Sequence, residues 1–200
     1  MFECKRARAA AAEISWRRRA SKSLSMHDSD AQTSLRRFNL RLYLACKFEL
    51  HDVSNTFFDI GPFRIQSGYI IHPGPTVGYR IIREKLVFTY MPDHEPALGS
   101  HGMINDPKWV SGYDLAEQAD ILLHDSQYTK EEYIIRRGWG HSSIYDAGLF
   151  AEITSAKHTL FAHHDPSHSD KFLEEMLALF KSGSKVSVGL AQEGSEIELV

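Results

Sequence analysis

Residues 119–165 read ADILLHDSQYTKEEYIIRRGWGHSSIYDAGLFAEITSAKHTLFAHHD, and this stretch decides the fold. Ile121-Leu122-Leu123 is an apolar run of strand length that ends on His124-Asp125. Thr129 followed three residues later by Glu132 has the spacing of a capping box and predicts a helix over 129–137. Ser143 to Thr154 predicts a second helix, and Thr159-Leu160-Phe161-Ala162 a second buried strand ending on His163-His164-Asp165. Strand and helix alternate, as in an α/β layer.

Upstream the period shortens. Phe63-Arg64-Ile65-Gln66 alternates, Tyr69-Ile70-Ile71 is apolar, and residues 78–82 and 86–90 read as a hairpin turning at Arg83-Glu84-Lys85. These predict an antiparallel stretch. A helix is expected over Leu115 to Ala119. Downstream, Ser169 to Lys181 predicts a helix closed by Gly183, with Phe172, Leu173, Met176, Leu177 and Phe180 at core spacing. The tail, Lys185 to Gly189 and Ile197 to Val200, is expected to add a last strand. The fold class is therefore α/β with an α+β character.

The chain has 200 residues, 42% of them apolar, enough to bury one sizeable core. Its net charge of −3 provides no broad cationic field for a nucleic-acid backbone. Two cysteines, Cys4 and Cys46, support neither a disulfide framework nor a cysteine zinc knuckle, so a reducing cytoplasm is the expected compartment. No apolar run approaches the roughly 18–20 residues a membrane span needs, and no apolar stretch of signal-peptide type follows the N-terminal charges. Residues 1–45 stand apart in composition, with nine Lys or Arg against four Asp or Glu in the first forty. An organelle-targeting peptide, a basic arm for nucleic acid and a disordered tail all fit this segment; the acidic residues Glu3, Glu13, Asp28 and Asp30 weaken the targeting version, and the composition favours a disordered or ill-fitting segment. The main domain is expected over 46–200.

Four polar clusters follow apolar strands: His72-Pro73-Gly74, Asp93-His94-Glu95, His124-Asp125 and His163-His164-Asp165. Singly, each has a plain structural role, such as a turn residue, a helix cap or a buried hydrogen-bonded histidine. Together they offer the nitrogen and carboxylate donors that a divalent metal gathers from separate loops. Within 163–170, a short loop can direct only one or two of its three histidines and two carboxylates at a shared ion. Gly138-Trp139-Gly140-His141-Ser142-Ser143 sets His141 just ahead of a helix N-terminus. The helix dipole there is expected to lower its pKa, and the site suits a proton or hydrogen-bond donor beside a phosphate.

In this order the motifs resemble a known family. His72-Pro73-Gly74 leading to Gly78-Tyr79-Arg80-Ile81, the strand Leu86 to Asp93, Ala119-Asp120-Ile121-Leu122-Leu123-His124-Asp125, Gly140-His141-Ser142-Ser143 and Phe161-Ala162-His163 are similar to successive motifs of metallo-β-lactamase-fold hydrolases. The match runs from about Gly61 to Leu179. It resembles the C-terminal half of the branch that includes ribonuclease Z and phosphodiesterase-like proteins. The resemblance implies half of an αβ/βα sandwich and, in the intact family, two ions, zinc or manganese, with a metal-bound hydroxide as nucleophile. It implies Asp93 as a bridging metal ligand and His163 as a terminal one, with His141 acting at the scissile phosphate and His124 and Asp125 behind it.

The family's main signature, HxHxDH, occurs nowhere in these 200 residues. The expectation is thus a fragment of a phosphodiester hydrolase acting on a small-molecule or nucleotide substrate. The alternative is a catalytically inactive remnant serving as a binding or dimerisation module. Whether this chain is itself an enzyme stays open on sequence grounds. A homodimer is expected under the second reading, and nucleic acid enters only through the basic arm.

Overall fold

The computed structural model describes residues 51–97, 106 and 109–199. The expectations for residues 1–45, for both cysteines and for Val200 lie outside these residues.

Seven strands form one sheet in sequence order. They are β1 (Phe57–Ile60), β2 (Phe63–Ile70), β3 (Thr76–Arg83), β4 (Leu86–Met91), β5 (Ile121–Asp125), β6 (His158–Ala162) and β7 (Val188–Leu190). The first three pairings are antiparallel and the last three parallel. The change at β4 follows from the connections: short turns join β1 to β4, whereas parallel neighbours need crossovers, which here carry helices. Those helices are α1 (Tyr113–Ala116), α2 (Lys130–Arg136), α3 (Ile144–Thr154) and α4 (Asp170–Gly183). No described helix is long and apolar enough to cross a membrane.

The capping box of α2 is formed as its sequence requires: Thr129 Oγ1 accepts from Glu132 N at 3.1 Å, and Glu132 Oε2 accepts from Thr129 N at 2.8 Å. Ser143 and Ser169 cap α3 and α4, each accepting a backbone N–H of its helix's first turn. Several expectations are corrected. The alternating and apolar runs at 63–71 are one continuous strand, β2. The helix over Leu115–Ala119 is instead a single turn ending at Ala116. Gly183 lies inside α4, and the extended backbone of Ser184 ends the helix, so no left-handed glycine cap is used. In the tail only Val188–Leu190 pairs with the sheet; residues 197–199 form no strand.

Alternation along the strands gives the sheet two faces. One buries Met91, Leu122 and Phe161 against Leu115 of α1, Phe150 of α3 and Phe180 of α4. Of the apolar stripe on α4, Phe180 is buried while Met176 and Leu177 pack half-buried at the margin. The other face presents Ile65, Ile81, Phe88, Leu123 and Leu160 around an open apolar hollow of about 650 Å³, bordered by Ile197 and Leu199 of the tail. No described helix contributes to its walls.

Gly148 of α3 lies directly against the Phe180 ring of α4. A Cβ there would lie 2.1 Å from Phe180 Cζ and 2.3 Å from Cε2. The ring cannot step aside, because Phe161 and Tyr145 hold it at centroid distances of 5.5 and 6.1 Å. On an exposed helix, glycine to alanine gains up to about 1 kcal/mol of helix propensity. Here overpacking reverses the sign, and Gly148→Ala is expected to destabilise by about 1–3 kcal/mol in urea unfolding. A variant as stable as the parent would show that α4 is not seated on α3.

Candidate active site

The carboxyl ends of β2, β4, β5 and β6 converge on one edge of the sheet, as the strand-end clusters anticipated. Asp93 and His163 come from loops seventy positions apart in the chain, and His163 Nε2 lies 3.6 Å from Asp93 Oδ1. His163 takes a left-handed backbone, φ 58°, unusual for a residue with a Cβ. His141 stacks on His163, with ring centroids 4.8 Å apart and planes 14° from parallel. His72, at the end of β2, meets His141 edge-on at 5.3 Å.

Two donor triads result, His72 with Asp93 and His141, and Asp125 with His141 and His163, each with ligand atoms within 4.8 Å of one another. Nitrogen and carboxylate oxygen at that spacing suit a divalent ion such as zinc or manganese. Asp93 reaches both His72 and His163, the position a shared carboxylate needs. His72 was legible as one of the strand-end donors but was not singled out as a metal ligand. Its ring is placed by Thr76 Oγ1, 3.2 Å from Nδ1, and by the close passage of Gly140. At Gly140, φ 94°, a Cβ would lie 2.3 Å from His72 Cδ2 and from Pro73 Cδ, so only glycine lets the loop pass.

His141 is oriented by Asp125. Its Nδ1 lies 2.7 Å from Asp125 Oδ2, which leaves Nε2 as the other ring nitrogen. The Asp125 carboxylate is fully buried and also accepts from Ser142 N at 2.9 Å and Gln127 N at 3.1 Å. The hydrogen bond to this carboxylate raises the His141 pKa above its ordinary value, outweighing burial, which lowers it. This corrects the expectation drawn from the helix dipole. Asp125 itself is held above the usual carboxylate range by burial, and its bonds to His141 and Ser142 offset that in part. The two shifts are compatible: a proton near His141 stays in the pair.

His124 sits behind this pair with no exposed surface. Its Nδ1 lies 2.7 Å from the Asp125 carbonyl oxygen and its Nε2 2.9 Å from His94 Nδ1. No atom of His124 reaches the surface, and burial pushes its pKa down to about 4. Glu95 is equally buried. It accepts from Tyr133 Oη at 2.9 Å, Gly138 N at 2.8 Å and Gly140 N at 2.6 Å, clamping the loop that carries His141. Sequence reasoning placed Glu95 in a polar cluster but missed this role. Of the dense 163–170 segment only His163 enters a donor triad: His168 pairs with Glu132 at 3.1 Å, and Asp165 accepts from Ser167.

No protein-family model matches the sequence, and no curated protein is significantly similar to it. Solved structures are similar in fold. The metallo-β-lactamase fold protein YhfI from Bacillus subtilis superposes with a TM-score of 0.53 at 19% identity, over 70% of this chain and 52% of that one. The short form of human tRNase Z gives 0.48 at 19%, over 70% and 45%. A diphosphatase of the PhnP family gives 0.49 at 21%, over 74% and 47%. This chain thus spans about half the length of these structures. With a single sheet that turns from antiparallel to parallel at β4 and a His/Asp cluster at its carboxyl edge, the described residues have the metallo-β-lactamase fold.

Proposed function

We propose that this chain contributes the second half of a metal-dependent phosphodiester hydrolase site. The observation that carries the reading is the 3.6 Å approach of His163 Nε2 to Asp93 Oδ1, with His72 and His141 alongside. Asp93 would hold metal as the shared carboxylate, His163 as a terminal ligand and His72 as a further donor. A bound zinc or manganese ion supplies positive charge for the phosphoryl oxygens and acidifies water towards a pKa of about 7. A pair of ions takes about three or four protein ligands each. The described cluster holds fewer, and the absent HxHxDH is the natural source of the rest.

The chain's own residues then divide the work. Asp125 fixes the His141 ring and keeps a proton available on it, so that His141 donates to the leaving oxygen. Glu95 holds the glycine loop at the distance from which His141 can act. His124 braces the backbone of Asp125 from inside the core.

The test is zinc and manganese binding by the full chain, with turnover of bis(p-nitrophenyl) phosphate. Asp93→Asn and His163→Ala are each expected to weaken metal binding at least about tenfold, the scale of losing one good ligand contact. A chain that binds neither metal, and whose variants behave as the parent does, would sink the reading. A second reading, an inactive binding or dimerisation module, is favoured by the open apolar face of the sheet. It is the better description if metal binds without turnover and light scattering gives a dimer.

A further inference from the structure

We infer that Trp139 is the platform on which the substrate lays an aromatic ring, which selects nucleotide-type phosphodiesters over alkyl ones. The inference deepens the phosphodiester reading and rests on it. Trp139 is 61% exposed, unusual for the side chain with most apolar surface to hide. Among the described residues it makes no ring or cation contact, whereas Tyr128, Tyr133 and Tyr145 all do.

The backbone does not let the indole retreat. Gly138 N and Gly140 N, on either side of Trp139, both donate to the buried Glu95, and Trp139 N closes a turn on Arg136 O at 3.1 Å. Gly140 is wedged against the His72 ring and His141 follows directly. Two residues span at most about 7 Å of chain, so the backbone that carries the indole is fixed close to His141. A flat apolar surface fixed beside a proton donor for a phosphate suits a base attached to that phosphate, and base stacking on tryptophan tolerates every base. A cation is linked to His141 through one ring: the Arg136 guanidinium, 3.8 Å from Glu132 Oε1, lies 5.1 Å over the Tyr128 ring, which in turn meets His141 at 6.1 Å. An anionic ligand with an aromatic ring satisfies both features, which an apolar peptide would not.

The experiment is calorimetric titration of the full chain, zinc present, with adenosine 5′-monophosphate and with inorganic phosphate. The parent is expected to bind the nucleotide at least about tenfold more tightly than phosphate. Trp139→Ala should weaken the nucleotide about 5- to 100-fold and leave phosphate within about twofold, and Trp139→Phe should retain most of the nucleotide affinity. Equal binding of both probes by the parent overturns the platform while leaving the phosphate site standing, as does equal weakening of both in Trp139→Ala. A parent that binds neither probe removes the platform together with the phosphodiester reading.

Discussion

Replacing Glu95 with alanine is expected to cost about 3–5 kcal/mol of unfolding free energy, the largest effect of any single side chain near the site. Three donors converge on its carboxylate, at 2.6, 2.8 and 2.9 Å, and Glu95, Tyr133 and Gly140 are all buried. Each buried donor left without an acceptor costs about 1–3 kcal/mol, and the cavity adds to this. Burial and the bond to Glu95 raise the Tyr133 pKa, so the phenol is kept as a donor and loses this acceptor with the carboxylate. Glu95→Gln keeps the shape, but its amide nitrogen faces an N–H, so it should fall between alanine and the parent. Urea unfolding followed by circular dichroism reads both variants. A loss below about 1 kcal/mol for alanine would mean that the loop 138–140 holds its place without the clamp.

That Glu95 was missed shows which physics a single sequence carries. Local devices were legible: the Thr129–Glu132 capping box, the β3–β4 hairpin and the serine caps of α3 and α4 are written within a few residues of where they act. Convergence of strand ends was legible too, because the topology brings the carboxyl ends of β2, β4, β5 and β6 to one edge. What a strand-end cluster does not disclose is which of its members turns outward. In Asp93-His94-Glu95 the first residue faces the cleft and the next two are buried. That choice depends on Tyr133, Gly138 and Gly140, about forty residues away. The same distance defeats the dipole argument at His141. A helix terminus contributes typically 0.3–1 kcal/mol, whereas a charge-assisted bond at 2.7 Å to a buried carboxylate is about twice as strong as a neutral one and prevails. His72 was not singled out from the donor clusters for a related reason, since its ring is fixed by Gly140, a contact between segments far apart in the chain.

Acidification from pH 6.5 to 4 is expected to remove about 3 kcal/mol of stability through His124 alone. The ring is neutral and directional. Nδ1–H donates to the Asp125 carbonyl, so Nε2 must accept from His94 Nδ1–H. A proton on His124 can go only to Nε2, where it destroys the bond to His94 and puts a charge where nothing solvates it. Burial therefore lowers the folded-state pKa from 6.5 to about 4, whereas the unfolded chain keeps the ordinary value. Between those two values the unfolded state binds more protons, so stability is complete above pH 6.5 and falls as pH falls through the window. His94 adds to the loss, since burial and the neighbouring His124 hold its pKa well below the usual value. His141 and Asp125, both with raised pKa values, act in the opposite direction, but the first is partly exposed and screened. Asp120 and Glu132, with lowered pKa values, lose their contributions mostly at the acid end of the window or beyond it. Urea midpoints at pH 7, 6, 5 and 4 measure the slope. His124→Asn keeps a donor for the Asp125 carbonyl and removes the titrating ring, so it should start less stable and show a shallower decline. A parent whose midpoint stays flat from pH 6.5 to 4 would mean that His124 and His94 are not a buried neutral pair.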